Sequence, residues 1–107
     1  NTNKRINRRL KAFHHPTQVQ FEQDYFNRRT VMEISAKDMP GLLSTVANVI
    51  ARNSINITHA KVSTLGEKID DIFYLTNREG SNITKQSTLD KLESQLITAI
   101  GDMYPSD

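Results

Sequence analysis

The sequence has 107 residues and no cysteine. That absence excludes a disulfide scaffold, a Cys-ligated zinc or iron–sulfur centre and a thiol nucleophile, and it fits an intracellular, cytoplasmic address. Hydrophobic residues make up only 36%, so a modest core and a large wetted surface are expected. No apolar run approaches the ~20 residues of a membrane span, and the first residues lack a signal-type stretch, which points to a soluble protein without a membrane partner. Neither GxGxxG nor GxxxxGK[ST] occurs, so nucleotide binding in those two modes has no support. The length suits one domain. Asn1, where an initiator Met would stand, leads at once into charged sequence, which suggests a piece of a longer polypeptide.

Charge is present but unevenly placed. Lys4, Arg5, Arg8, Arg9 and Lys11 give residues 1–15 five positive charges and no acid, whereas the remainder carries nine basic against twelve acidic residues. The basic stretch has no aromatic before Phe13, so it reads as the solvated face of a connecting helix rather than a nucleic-acid arm. Pro16 ends it. The expected division is a basic linker helix over 1–15 and a domain over 16–104.

Within that domain, Val19 and Phe21 alternate with Gln18, Gln20 and Glu22, the period of a half-buried strand. Met32, Ile34 and Ala36 alternate with Val31, Glu33 and Ser35, and the short connection makes the two an antiparallel hairpin. Lys37-Asp38-Met39-Pro40-Gly41 is a helix-start signal with Asp38 as the expected cap. Leu42, Leu43, Val46, Val49 and Ile50 then form one helical stripe ending near Asn53. Residues 55–64 form a third strand whose apolar phase shifts between Ile57 and Ala60, predicting a bulge near Thr58 and His59. After a turn at Leu65 to Lys68, residues 69–76 form a fourth strand. A second helix runs from about Lys85 to Ile100, with Leu89, Leu92, Leu96, Ile97 and Ile100 on one side. The order β-β-α-β-β-α predicts an α+β fold of ferredoxin-like type, a four-stranded antiparallel sheet with two helices on one face. No strand follows the last helix, so the first strand is expected beside residues 32–36, where a terminal strand would otherwise lie.

Few residues carry catalytic chemistry. His14-His15 has no third ligand nearby and makes no zinc site alone. His59 has no Ser or carboxylate at motif spacing and reads as structural or as the edge of a ligand site. Asp70 and Asp71, being strand neighbours, face opposite ways and read as a solvated strand start. They also place acid where RNA phosphate would approach, against nucleic-acid binding. The remaining constellation is the Lys37-to-Leu43 turn, expected to face Asn56. A helix N-terminus offers free N–H groups to an anion, and Gly41 allows close approach to the backbone. On the residues alone, Pro40-Gly41 is equally a plain helix start and Asn56 a turn partner.

The run Asp38-Met39-Pro40-Gly41-Leu42-Leu43, followed by Ile55-Asn56-Ile57, resembles the signature of ACT domains, small regulatory modules that bind amino acids and other metabolites. The stretch from Ala60 to Thr76 and the lead-in Phe13-His14-His15-Pro16-Thr17-Gln18-Val19 are similar to the end of the bacterial bifunctional PII-uridylyltransferase/uridylyl-removing enzymes, and the likeness runs from about Arg8 onward. The resemblance implies a C-terminal ACT domain that senses glutamine and controls uridylylation and deuridylylation of PII in nitrogen regulation. The chain itself would have no catalytic residue, metal or cofactor. The implied parent carries a nucleotidyltransferase domain and a metal-dependent phosphohydrolase-type domain, with magnesium in its catalytic domains. The implied partners are a tandem ACT domain or a second copy of the chain, and PII through the parent. Carried over by position, the ligand loop falls on Asp38, Met39, Pro40, Gly41, Leu42 and Leu43, and the facing strand position on Asn56, with Thr58 and His59 beside it. The family usually has Arg where this chain has Met39. That leaves the N–H groups of Gly41 to Leu43 and the Asp38 and Asn56 side chains to recognise a carboxylate and an amine. Two other readings stand beside this one: a non-sensing docking module of the same enzyme, and the ACT domain of a guanosine-polyphosphate synthetase/hydrolase.

Overall fold

The computed structural model describes residues 16–104, and the expected helical arm over 1–15 lies outside the described residues. In chain order the elements are β1 (Gln18–Asp24), β2 (Arg29–Lys37), α1 (Leu42–Arg52), β3 (Asn56–Lys61), β4 (Thr64–Leu65), β5 (Lys68–Thr76) and α2 (Gln86–Gly101). The sheet runs β1-β2-β5-β3, every neighbouring pair antiparallel. As the alternation implied, β1 lies at the edge beside β2, with Val19 opposite Ile34 and Phe21 opposite Met32.

The two central strands show why the sheet has one dry face. On β2, Met32, Ile34 and Ala36 are wholly buried while Val31, Glu33 and Ser35 are partly exposed. On β5, Ile69, Asp71, Phe73 and Leu75 are buried and Asp70, Ile72 and Tyr74 are not. The pleat sends alternate side chains to opposite faces, so two strands in register make one apolar surface. The helices cover it with Leu42, Val46, Val49 and Ile50 from α1 and Leu89, Leu92, Leu96 and Ile100 from α2. α1 lies toward β3, and α2 toward β1.

Several local expectations are corrected. Where four strands were expected, a fifth of two residues, β4, pairs with the start of β5. Leu65 pairs with Lys68, leaving Gly66 and Glu67 as a two-residue turn, and the positive φ of Gly66 (65°) makes that tight reversal possible. Asp38 does not cap α1. The cap position belongs to Gly41 in the left-handed conformation, with no side-chain cap bond. Leu43 and Ile97, placed in the two helix stripes from sequence, are 46% and 38% exposed, because one residue's advance of ~100° turns each off the face that Leu42 and Leu96 bury. The bulge in β3 is present, with the register shifting between Ile57 and His59. The Thr58 hydroxyl fastens it by donating to the carbonyl of Tyr74 at 3.2 Å.

At the end of the sheet away from the start of α1, a polar cluster joins three segments. The Thr30 hydroxyl donates to Gln23 Oε1 and accepts the N–H of Ile83, each at 2.9 Å. Asn82 Nδ2 donates to the same Gln23 oxygen and to the Arg29 carbonyl, both at 2.9 Å. Thr30 is fully buried, so replacing its hydroxyl with a methyl leaves the Ile83 N–H dry and unpaired. Thr30→Val is expected to lower stability by about 1–3 kcal/mol. Urea unfolding followed by circular dichroism checks this, and an unchanged midpoint refutes it.

Candidate ligand-binding site

The chain leaves β2 at Lys37 and must turn back to lay α1 across the sheet. The turn is held from outside itself: the Asp38 N–H donates to the Glu67 carbonyl at 2.8 Å, tying the loop to the β4–β5 hairpin. Gly41 makes the final reversal at φ 84°, and its carbonyl accepts the first helical bond from the Thr45 N–H at 3.0 Å. The segment after α2 closes over this end. Met103 packs near Gly41, and the Tyr104 hydroxyl accepts the Lys37 N–H at 3.2 Å.

Between loop and hairpin lies a cavity of about 190 Å³. Asp38, Met39, Gly41, Leu42, Leu43 and Ser44 form one wall, and Val62, Thr64, Ile69 and Asp71 the other. Drug-sized sites run to ~300–1,000 Å³, so this volume suits a smaller metabolite of amino-acid size. Larger hollows of about 620 and 290 Å³, on the outer faces of the helices and under the loop before α2, have no buried charged group among their lining residues. Among the described residues no group of three metal-ligating side chains occurs.

The cavity has polar chemistry of two signs. At the start of α1, the N–H groups of Leu43 and Ser44 have no intrahelical acceptor and carry the positive end of the helix dipole. The Leu42 N–H is already used, donating to the Met39 carbonyl at 3.2 Å. Opposite stands Asp71, 2% exposed on the helix-covered face of β5. One of its oxygens accepts the Ser63 N–H at 3.0 Å. Burial raises its pKa above the ordinary aspartate range; the Ser63 bond opposes this, and the charges of Asp70 and Asp38 add to it.

The sequence-derived site residues are therefore divided. Asp38, Met39, Gly41, Leu42 and Leu43 meet at the cavity, and Pro40 is an exposed turn residue beside it. Asn56 does not face the loop within one chain. It begins β3 beyond the far end of α1, a helix of 11 residues and so roughly 16 Å long, and its Nδ2 donates to the Asn77 carbonyl at 3.4 Å. Thr58 is engaged at the bulge, and His59 meets Tyr74 edge to face with ring centroids 6.3 Å apart. Sequence reasoning missed Asp71, taken there as a solvated strand residue. The available signal was parity: Asp71 shares its face with Ile69, Phe73 and Leu75. Asp70, one residue earlier, lies on the opposite face, where its hydrogen bond with Glu33 raises the Glu33 pKa.

A family model described as ACT domain matches residues 30–87. The chain is 37% identical over 103 residues to the bifunctional uridylyltransferase/uridylyl-removing enzyme of Vibrio cholerae, a span covering 96% of this chain and 12% of that protein. The corresponding protein of Methylococcus capsulatus is 38% identical over 95 residues, covering 89% of this chain and 11% of its own length. That of a Pseudomonas putida strain is 29% identical over 104 residues, covering 97% and 12%. The chain thus spans about an eighth of the length of these curated relatives.

Two outcomes follow from the geometry of this site. Gly41→Ala puts a Cβ on a left-handed residue and should cost about 1–2 kcal/mol through strain alone, read as a lowered melting temperature without ligand; an unchanged melt would contradict the Gly41 conformation. Because the Asp71 pKa is raised in the folded state, that state holds its proton more tightly than the unfolded chain. The resulting stabilisation is complete below the ordinary aspartate pKa and is lost as pH rises through the folded value. Urea midpoints measured across that window should fall more steeply with rising pH for the native chain than for Asp71→Asn, and parallel profiles would refute this.

Proposed function

Since this chain belongs to the ACT-domain family, we propose that it is the amino-acid-sensing module of a uridylyltransferase/uridylyl-removing enzyme, with glutamine as its effector and PII uridylylation as the output. The observation that carries the reading is the pairing of free N–H donors at the start of α1 with the Asp38 and Asp71 carboxylates across one small cavity. An amino acid presents both a carboxylate and an ammonium, and it fits such a bipolar site where a simple anion does not. The similarity to uridylyltransferase/uridylyl-removing enzymes supports that parent over a guanosine-polyphosphate synthetase/hydrolase.

The site is completed by a second ACT unit, either a tandem partner or another copy of this chain. β3 is exposed along its whole length at the sheet edge, and an open edge pairs readily with another strand. Antiparallel pairing of two β3 edges about a two-fold axis sets α1 beside its counterpart in reverse. That arrangement brings the Asn56 end of each unit toward the Asp38-to-Leu43 loop of the other. Glutamine bound there regulates by favouring one arrangement of the pair, and it shifts the parent only by its difference in affinity between arrangements.

A docking role is the second reading, favoured by Phe26 and Tyr25, which stand 94% and 68% exposed at the tip of the β1–β2 hairpin. A thermal melt and calorimetric titration of the 107-residue chain with glutamine, with glutamate and serine as controls, separates the two. At ~100 times its dissociation constant glutamine adds about 2.7 kcal/mol, a rise of roughly 4–8 °C in melting temperature for a domain of this size. No heat and no shift with any amino acid, for this chain alone and for the chain joined to its tandem ACT unit, would overturn the sensing reading in favour of docking.

A further inference from the structure

We propose that the Asp71 carboxylate is the ammonium anchor of the cavity beside the Asp38-to-Leu43 loop, so that the effector must be a primary amine and not merely an anion. The inference rests on the reading of that cavity as an amino-acid site and names the residue that sets its selectivity. Three observations support it. The side chain is 98% buried by its 2% exposure, yet it borders the cavity. Among the described residues no Lys or Arg pairs with it, and its Oδ1 accepts one backbone N–H, that of Ser63. A carboxylate has acceptor sites for several donors, so one N–H leaves capacity for a donor that enters the cavity. Finally, Asp38 lines the facing wall, so two acidic groups converge on a cavity whose lining includes no Lys or Arg.

A structural role alone would not favour an acid here. The Ser63 N–H needs an acceptor, and a neutral Asn or Ser would supply one without burying a charge. A buried carboxylate is better explained by a cationic guest that enters and leaves. The ammonium of an amino acid has three donors, and the helix-start N–H groups of Leu43 and Ser44 remain for its carboxylate. That arrangement reads both charged ends of the ligand and leaves its side chain to contact Met39, Leu43 and Val62.

The test compares L-glutamine with its deaminated analogue, 4-carbamoylbutanoate, by calorimetry on the 107-residue chain and on Asp71→Asn, which keeps an oxygen for the Ser63 N–H. The native chain should bind glutamine roughly 10- to 100-fold more tightly than the analogue, the range of one charge-assisted contact. Asp71→Asn should lose that preference while its affinity for the analogue stays within about two-fold. Glutamine binding unchanged in Asp71→Asn, or equal losses for both ligands, would overturn the anchor and leave the cavity reading standing. Equal affinity of the native chain for the two ligands would overturn it without any variant, which covers the case in which Asp71→Asn does not fold. Failure of the native chain to bind either compound would remove the cavity reading and the anchor together.

Discussion

The pairing of β2 with β5 is the constraint from which the rest follows. Met32 opposite Phe73, and Ala36 opposite Ile69, put wholly or nearly buried side chains side by side on one face. A slip of one residue on either strand would turn Glu33, Asp70 and Tyr74 inward and Ile34, Phe73 and Leu75 out to water. Each displaced aliphatic or aromatic side chain would forfeit about 1.5–3 kcal/mol of burial. The register is therefore fixed by the face, and both helices, the outer strands and the β4–β5 turn take their places from it.

The candidate site is a product of that register. Asp71 is buried because it holds the parity of Ile69 and Phe73, not because its surroundings welcome charge. The loop after β2 reaches it because the Asp38 N–H is tied to Glu67 on the hairpin that begins β5. A domain with this small a core carries the unfavourable burial of a carboxylate and the left-handed turn at Gly41 at the same end. Such concentration of local disadvantage is usual where a site needs groups held ready for a ligand. The opposite end is different: Gln23, Thr30 and Asn82 satisfy one another fully and serve packing.

The two edges of the sheet are treated unequally. At one, β1 comes from the start of the domain and fills the position a terminal strand would take, and its Val19 joins the core. At the other, β3 stays exposed and bulged, held to β5 by its ladder and by Thr58. The bulge brings Ile57 and Ala60 to the same face, opposite Leu75 and Phe73, and interrupts the regular ladder of the edge, a usual way of restraining an edge from indiscriminate pairing. An edge of this kind admits a specific second unit more readily than a random strand.

Periodicity in the sequence was enough for the order of the long elements, the strand at the near edge, the bulge at Thr58 and four of the five positions expected on the buried side of α2, Ile97 being exposed. Each of those depends on neighbours a few residues apart, where helix and strand periods of 3.6 and 2 speak directly. The loop residues Asp38 to Leu43 were legible as a group because Pro40 and Gly41 punctuate the chain. Their detailed roles were not: Asp38 offers a cap by composition, but the helix starts only at Leu42, and Gly41, three residues beyond Asp38, takes the cap position instead. Leu43 and Leu42 differ in exposure through ~100° of helical rotation, which a stripe count blurs. Asn56 and the loop are near in pattern and a helix length apart in space. The parity of Asp71 with Ile69 and Phe73 puts it on the buried face, but its place at the cavity shows only when the β4–β5 hairpin is set against the start of α1. The sequence by itself determined which segments are helix or strand and which face of each is apolar, because those are local consequences of side-chain spacing. Only the tertiary structure decided which polar groups share a cavity, because a turn, a hairpin and a strand distant in sequence meet there through register and packing.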